Sequence, residues 1–208
     1  CAFIGHNGAG KTTTLKACCG LLKPDGGTIT VNGIDIQKDP IACKKIMAYI
    51  PDNPDLYEFL TGYEYLNFVA DMYGVSEADR KARMEALAER LDIKNALPNL
   101  ISECSHGMKQ KIAVIGALIH EPKLILMDEP FVGLDPKASH ILKGMMREVC
   151  DAGGAIFFST HVLEVAEKLC DKVAIIKGGK LIRSGTMEDV KGDESLESVF
   201  LELEEETC

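Results

Sequence analysis

Several features are scarce in this sequence of 208 residues: it has no tryptophan, and aromatic side chains make up only 6% of it. It lacks the run of roughly 18 apolar residues that a membrane-spanning helix needs. Its eight cysteines are scattered, without a C-x-x-C pair or a histidine spacing typical of a metal site. This pattern favours reduced thiols and argues against a disulfide framework or a zinc module.

Positive charge is also in short supply. The chain carries 23 lysines and arginines against 32 acidic residues, for a formal net charge of −9. Residues 193–208 contain many of these acids and no lysine or arginine, so the rest of the chain is nearly neutral. Because nucleic-acid binding normally needs a basic surface, we expect no nucleic-acid partner.

The most informative stretch lies near the start of the chain. Residues 5–12, GHNGAGKT, fit the pattern G-x-x-x-x-G-K-[ST] between an apolar strand and a helix-like run. Glycines let backbone N–H groups surround phosphate oxygens, and the following helix N-terminus adds positive charge. We predict that Lys11 reaches the β- and γ-phosphates of a triphosphate and that Thr12 ligates Mg²⁺. A glycine turn with an incidental Lys-Thr pair is the competing interpretation.

The predicted nucleotide-binding residues are all in or next to this loop. They are Gly5, His6, Asn7, Gly8, Ala9, Gly10, Lys11, Thr12 and Thr13.

Two further strands end in residues that suit phosphate chemistry. The apolar run 124–127 leads to Asp128 and Glu129, which we predict to hold Mg²⁺ and to polarise the attacking water, respectively. The strand 155–158 leads to His161, placed to contact the γ-phosphate and to respond to its loss. Alone, the two acids could be surface residues and the histidine structural, but both follow strands in a chain that carries the phosphate loop.

The order of apolar patterns predicts an α/β fold. A helix over residues 11–22, a hairpin turn at Asn32-Gly33 and an all-helical stretch precede an alternation of strands and helices from residue 123. Such alternation favours a mainly parallel sheet flanked by helices, with ligands at the carboxyl ends of its strands. The helical spacing of apolar residues within 196–206 predicts a short acidic helix. The expected parts of a single domain over 1–208 are a P-loop NTPase core with a reduced antiparallel β part (1–51 and 111–190), a helical subdomain (52–110) and an acidic tail (191–208).

Five motifs in order carry a family resemblance. From Cys1 to about Glu188 the chain resembles the nucleotide-binding domain of an ATP-binding cassette (ABC) transporter, and in particular bacterial ATPase subunits that serve export permeases. The matching stretches are residues 5–12 (Walker A), 105–110 (signature), 124–130 (Walker B), 133–136 (D-loop) and 159–161 (switch histidine).

The resemblance implies an ATPase that uses Mg²⁺ and pairs head to tail with a second ABC ATPase domain, identical or different. ATP would be held between the phosphate loop of one domain and the signature of the other, and Asp135 would communicate across the dimer. The signature residues acting on the partner's ATP would be Ser105, His106, Gly107 and Met108. The family also implies a separate transmembrane permease and a place on the cytoplasmic face of the membrane. Tyr57, Phe59 and Leu60 are candidate permease contacts, although ordinary core packing would equally explain them.

The chain departs from the family pattern in three places. His106 replaces the first glycine of the signature, which narrows the room beside a phosphate. Asp52 stands where the family has a glutamine near Mg²⁺, and our hypothesis is that Asp52 still ligates the metal. Since the loop follows Cys1 almost directly, we expect an N-terminally truncated domain that lacks the family's adenine-stacking aromatic and binds adenine weakly.

Two alternative functions remain at this point. An ABC ATPase that acts on ribosomes or DNA normally carries basic arms, tandem cassettes or long coiled-coil inserts, and this chain has none of them. A regulatory half of a heterodimer usually loses the catalytic glutamate or the switch histidine, whereas Glu129 and His161 are both present. The leading prediction is therefore an ATPase that powers transport.

Overall fold

A six-stranded sheet forms the centre of this computed structural model, which describes residues 1–205 and, at residues 204 and 205, the backbone alone. The strands of the chain are β1 (Ala2–Ile4), β2 (Thr30–Val31), β3 (Ile34–Asp35), β4 (Met47–Ile50), β5 (Leu124–Asp128), β6 (Ala155–Thr160), β7 (Lys172–Lys177) and β8 (Lys180–Thr186). The main sheet has the order β4-β5-β6-β1-β7-β8, and only β7 and β8 pair antiparallel. The predicted mainly parallel sheet is confirmed.

Helices cover this sheet and fill the stretch before β5. They are α1 (Lys11–Cys18), α2 (Pro40–Lys45), α3 (Gly62–Met72), α4 (Glu77–Arg90), α5 (His106–Leu118), α6 (Pro136–Asp151), α7 (Leu163–Leu169), α8 (Met187–Lys191) and α9 (Leu196–Glu205), with 3₁₀ turns at Lys94–Ala96 and Ile101–Glu103. Among the helices of residues 1–205, none combines the length and the apolar character needed to cross a bilayer.

The first helix is shorter than the sequence pattern predicts. It ends at Cys18 and not at residue 22, because Gly20 takes a left-handed conformation with φ 71°. The N–H of Gly20 donates to the carbonyl of Ala17, and that of Leu21 donates to the carbonyl of Lys16 at 2.8 Å. These bonds satisfy the last carbonyls of the helix and turn the chain away from its axis.

Strand register brings the predicted catalytic stretches to one edge of the sheet. The first strand, β1, lies between β6 and β7, with Ile4 opposite Thr160. On the other side of β6, Asp128 at the end of β5 lies opposite Ser159. The phosphate loop, the acidic pair and the residues around His161 therefore leave the sheet side by side.

The stretch between β4 and β5 is helical, as predicted. Ser76 caps α4, since its hydroxyl accepts from the N–H of Asp79 at 3.1 Å. Leu66 and Met84 are buried in the same hydrophobic cluster as sheet residues such as Ile125. The helical stretch therefore shares one hydrophobic core with the sheet.

The predicted hairpin and the predicted tail helix are both present. Asn32 and Gly33 have φ values of 50° and 79°, the left-handed pair that a tight hairpin between β2 and β3 requires. In α9, Leu196, Val199 and Phe200 are buried, so the tail helix docks on the body of the protein. The last residue of the predicted helix, residue 206, lies outside the described residues.

Candidate active site

The loop between β1 and α1 is shaped by its three glycines. A Cβ on Gly5 would lie only 2.4 Å from the carbonyl oxygen of Ile176, so no side chain fits there. Gly8 and Gly10 have φ values of 82° and 104°, which L-residues rarely adopt. Gly10 also caps α1 without a side chain, leaving the N–H groups of the first turn available to an anion.

Lys11 is held inside this loop. Its ammonium donates to the carbonyl oxygens of Gly5 at 2.6 Å and His6 at 3.1 Å, and only 6% of the residue is exposed. The same ammonium lies 4.0 Å from Oε1 of Glu129. The loop therefore orients the cation toward the acidic pair at the end of β5.

Asp128 presents a buried carboxylate oxygen that lacks a partner. The residue is 1% exposed, and its Oδ1 accepts a hydrogen bond from the hydroxyl of Ser159. Its Oδ2 has no hydrogen-bond partner among the described residues. An unpaired buried carboxylate oxygen is costly unless a cation or an ordered water satisfies it.

Glu129 has an unusual backbone conformation. Its φ is 46°, which is strained for a non-glycine residue and typical of functional sites. Its N–H donates to the hydroxyl of Ser159 at 3.0 Å, and its Oε1 lies 3.0 Å from Nδ1 of His161. The carboxylate is thus placed between the imidazole and the ammonium of Lys11.

Ser159 joins the two acids, a role that no motif in the sequence predicts. One hydroxyl donates to Asp128 and accepts from the N–H of Glu129. The contact depends on the register of β5 and β6, which pairs Asp128 with Ser159. That register is a property of the tertiary structure, so the sequence could not indicate this role.

A cavity of about 250 Å³ lies over these groups. Its lining residues are His6, Asn7, Gly8, Gly10, Lys11, Thr12, Thr13, Asp52, Asp128 and Glu129. Two predicted loop residues lie beneath it, Gly5 against Ile176 and Ala9 buried in a small apolar cluster. His161 is not among the lining residues, but its Nδ1 contacts Oε1 of Glu129, which is one of them.

Asp52 also lines this cavity. It follows β4, and its Oδ1 accepts from the N–H of Asn53 at 2.9 Å. The nearby Tyr49 hydroxyl is buried and has no hydrogen-bond partner within the described part of the chain, and burial, followed by the charge of Asp128, raises its pKa. The charged residues that line the cavity are thus three acids, Asp52, Asp128 and Glu129, and Lys11.

These oxygens fit Mg²⁺, a hard cation that prefers carboxylate and hydroxyl ligands. The unpaired Oδ2 of Asp128 and the hydroxyl of Thr12 belong to the same cavity. Within residues 1–205, no three side chains of the types His, Cys, Asp and Glu are grouped as a metal site. A donor set this small suits an ion that takes its remaining ligands from phosphates and water.

The signature stretch lies elsewhere. Ser105 caps α5, with its hydroxyl accepting from the N–H of Met108 at 3.3 Å, and it is exposed. His106 lies against the loop after β5, since a Cβ on Gly133 would be 2.3 Å from its ring. Residues 105–108 are not among those lining the cavity.

Asp135 connects the loop after β5 to α5. It caps α6 by accepting from the N–H of Ala138 at 2.8 Å, a hydrogen bond that lowers its pKa. Its other carboxylate oxygen lies 3.8 Å from the ammonium of Lys111 on α5. The helix that begins with the signature and the loop after the acidic pair are therefore in direct contact.

Comparison with known proteins agrees with this geometry. Residues 1–132 match the family model described as ABC transporter. This chain belongs to the ABC transporter family. It is 37% identical over 98% of its length to the ABC-type transporter ATP-binding protein EcsA of Bacillus subtilis (strain 168), and the match spans 85% of that protein.

Two further relatives agree. The ABC transporter ATP-binding protein NatA of the same organism is 36% identical, covering 95% of this chain and 80% of NatA. A solved structure described as the ATP-binding subunit of an ABC transporter superimposes with a TM-score of 0.94 at 39% identity, over 98% of this chain and 87% of that one. The P-loop NTPase fold predicted from the motifs is that of this ABC family.

Proposed function

We propose that this chain is the ATP-binding and ATP-hydrolysing subunit of an ABC transporter. The observation that supports it best is the single cavity in which the phosphate loop faces Glu129 and the unpaired oxygen of Asp128. We also propose the division into a core (1–51 and 111–190), a helical subdomain (52–110) and an acidic tail (191–208).

In this proposal the loop residues 5–13 bind the phosphates of ATP, with Lys11 on the β- and γ-phosphates. Thr12, Asp128 and Asp52 would hold Mg²⁺, which neutralises phosphate charge when bound. These roles agree with the N-terminus of α1, which no side chain caps, and with the three acids that line the cavity.

Glu129 is the proposed base. Its carboxylate accepts a proton from the attacking water, and the proximity of Lys11 and His161 fixes its orientation. The side chain of His161 is 56% exposed, so its ring is accessible to a phosphate group. We assign His161 the sensing of that phosphate.

The complete site is proposed to form between two chains. Ser105, His106, Gly107 and Met108 stand at the N-terminus of α5, where hydroxyl and N–H groups suit a γ-phosphate. Because they lie apart from the cavity of their own chain, they would act on the ATP of a partner, with Asp135 communicating between the sites. ATP would then favour the closed dimer, and hydrolysis of ATP would let the dimer open.

A permease on the membrane is the second proposed partner, and it would place the chain on the cytoplasmic face. A groove of about 450 Å³ runs between β4 and α3, and its wall includes Tyr57, Phe68 and Met72, all well exposed. Phe59 is 76% exposed beside Tyr57, whereas Leu60 is half-buried. These apolar side chains agree with docking of a short helix and fit core packing poorly.

Mixing two inactive variants tests the shared site. Lys11→Met disables the loop, and Ser105→Arg disables the signature, so each variant alone is expected to lose Mg²⁺-dependent phosphate release. An equal mixture should recover about a quarter of the wild-type rate, because half of freely exchanged dimers contain one intact site. No recovery, despite ATP-dependent dimers in the same mixture, would contradict a site built from two chains.

Substitution of Asp52 tests its metal role. Asp52→Ala removes a cavity oxygen, and Asp52→Gln restores the side chain typical of the family. We expect Asp52→Ala to raise the Mg²⁺ concentration needed for half-maximal hydrolysis by about tenfold, because one charged ligand contact is lost. Asp52→Gln should return that concentration to the wild-type value. If both variants match the wild type in a Mg²⁺ titration, the metal role is wrong.

A further inference from the structure

The acidic tail helix touches the phosphate loop. Phe200 of α9 is 8% exposed, and its ring meets the imidazole of His6 edge to face, with centroids 5.1 Å apart and planes at 65°. This arrangement is one that aromatic rings prefer. His6 itself lines the cavity over the loop. A residue near the end of the chain is thus one side chain away from the nucleotide site.

The tail helix is held in place independently of that contact. Leu196 is fully buried, and its N–H donates to Oε2 of Glu167 on α7 at 3.2 Å. The other oxygen of Glu167 pairs with Lys191 of α8. Val199 is buried in the main core as well. The position of Phe200 next to His6 is therefore set by the packing of the rest of α9.

The position of His6 bears on the lysine of the loop. The carbonyl oxygen of His6 accepts from the ammonium of Lys11 at 3.1 Å and from the N–H of Ala9 at 3.1 Å. A shift of His6 would therefore move the turn of the loop and the direction of the ammonium together. Moreover, α9 packs on α7, which begins two residues after His161. The tail helix consequently braces both the loop and the segment after the switch histidine.

We propose that Phe200 is a positioning residue for nucleotide binding, acting through its ring contact with His6 to keep the phosphate loop in its binding shape. The inference rests on the proposed function, because it assumes that the loop binds ATP. It assigns a role in nucleotide binding to the tail helix α9, which lies outside all five sequence motifs. Phe200 itself is not among the residues that line the cavity.

A double-mutant cycle tests this role. Phe200→Leu should weaken ATP binding, measured by calorimetry, by about two- to tenfold, the value of one aromatic contact, and should raise KM while leaving kcat within about twofold. Phe200→Tyr, which keeps the ring, should bind like the wild type. In a His6→Asn background, Phe200→Leu should have no further effect, because the partner ring is already gone.

The control is Val199→Ala, which removes a similarly buried side chain from the same helix without touching His6. It should lower the melting temperature and leave ATP affinity unchanged. An equal loss of affinity in Val199→Ala, or an undiminished effect of Phe200→Leu in the His6→Asn background, would overturn the positioning role. Absence of ATP binding by the wild type would instead overturn the proposed function, and the inference with it.

Discussion

Replacement of Glu129 by glutamine is expected to slow ATP hydrolysis by at least about a hundredfold, the usual contribution of a general base. Glutamine keeps the size of the side chain and can still meet His161, but it cannot accept the proton of the attacking water. The measurement is phosphate release under saturating Mg²⁺-ATP. ATP binding should persist, because Lys11 and the loop are untouched, and closed dimers should accumulate.

The matched control is Glu85→Gln, which makes the same chemical change on an exposed site of α4. It should hydrolyse ATP at the wild-type rate. An unchanged rate in Glu129→Gln would remove the catalytic-base role. Since Glu129 is also strained at φ 46°, Glu129→Gly would show whether the backbone alone matters: it should fold well and remain inactive.

Replacement of Lys11 by methionine should weaken ATP binding by at least about a hundredfold, since charge-assisted hydrogen bonds to the phosphates would be lost. Methionine retains the unbranched chain that fills the loop, but it removes the ammonium that donates to the carbonyl oxygens of Gly5 and His6, of which the His6 oxygen keeps the N–H of Ala9. Calorimetric titration with ATP measures the loss, and a thermal melt checks that the variant remains folded.

Lys81→Met serves as the control, because Lys81 is exposed on α4. It carries the same change of charge and should bind ATP normally. A Lys11→Met protein that keeps wild-type affinity would show that the ammonium serves the loop structure and not the nucleotide. The two variants also separate binding from chemistry, since Glu129→Gln should bind without turnover and Lys11→Met should do neither.

Much of the fold could be predicted because its signals are local. The apolar run of β5, the left-handed pair at Asn32-Gly33 and the cap at Ser76 each depend on a few adjacent residues. The end of α1 was less predictable, since apolar Leu21 and Leu22 continue the helical pattern past Gly20. A single left-handed glycine ended the helix there.

For the candidate site, the sequence was sufficient wherever the chemistry lies in one contiguous motif. Residue type and spacing predict the glycine-rich turn before α1 and the acidic pair at a strand end, and the structure contains both. These are properties of a short segment, so they can be predicted without knowledge of the tertiary structure. The family model matches residues 1–132, which include these segments.

The tertiary structure alone decided which distant groups meet. The register of β5 and β6 placed the Ser159 hydroxyl between Asp128 and Glu129. Docking of the tail helix placed Phe200 on His6, and the packing of α5 left Ser105 outside the cavity over the phosphate loop. Such contacts depend on how strands align and helices pack over long sequence distances, and no local pattern specifies that alignment.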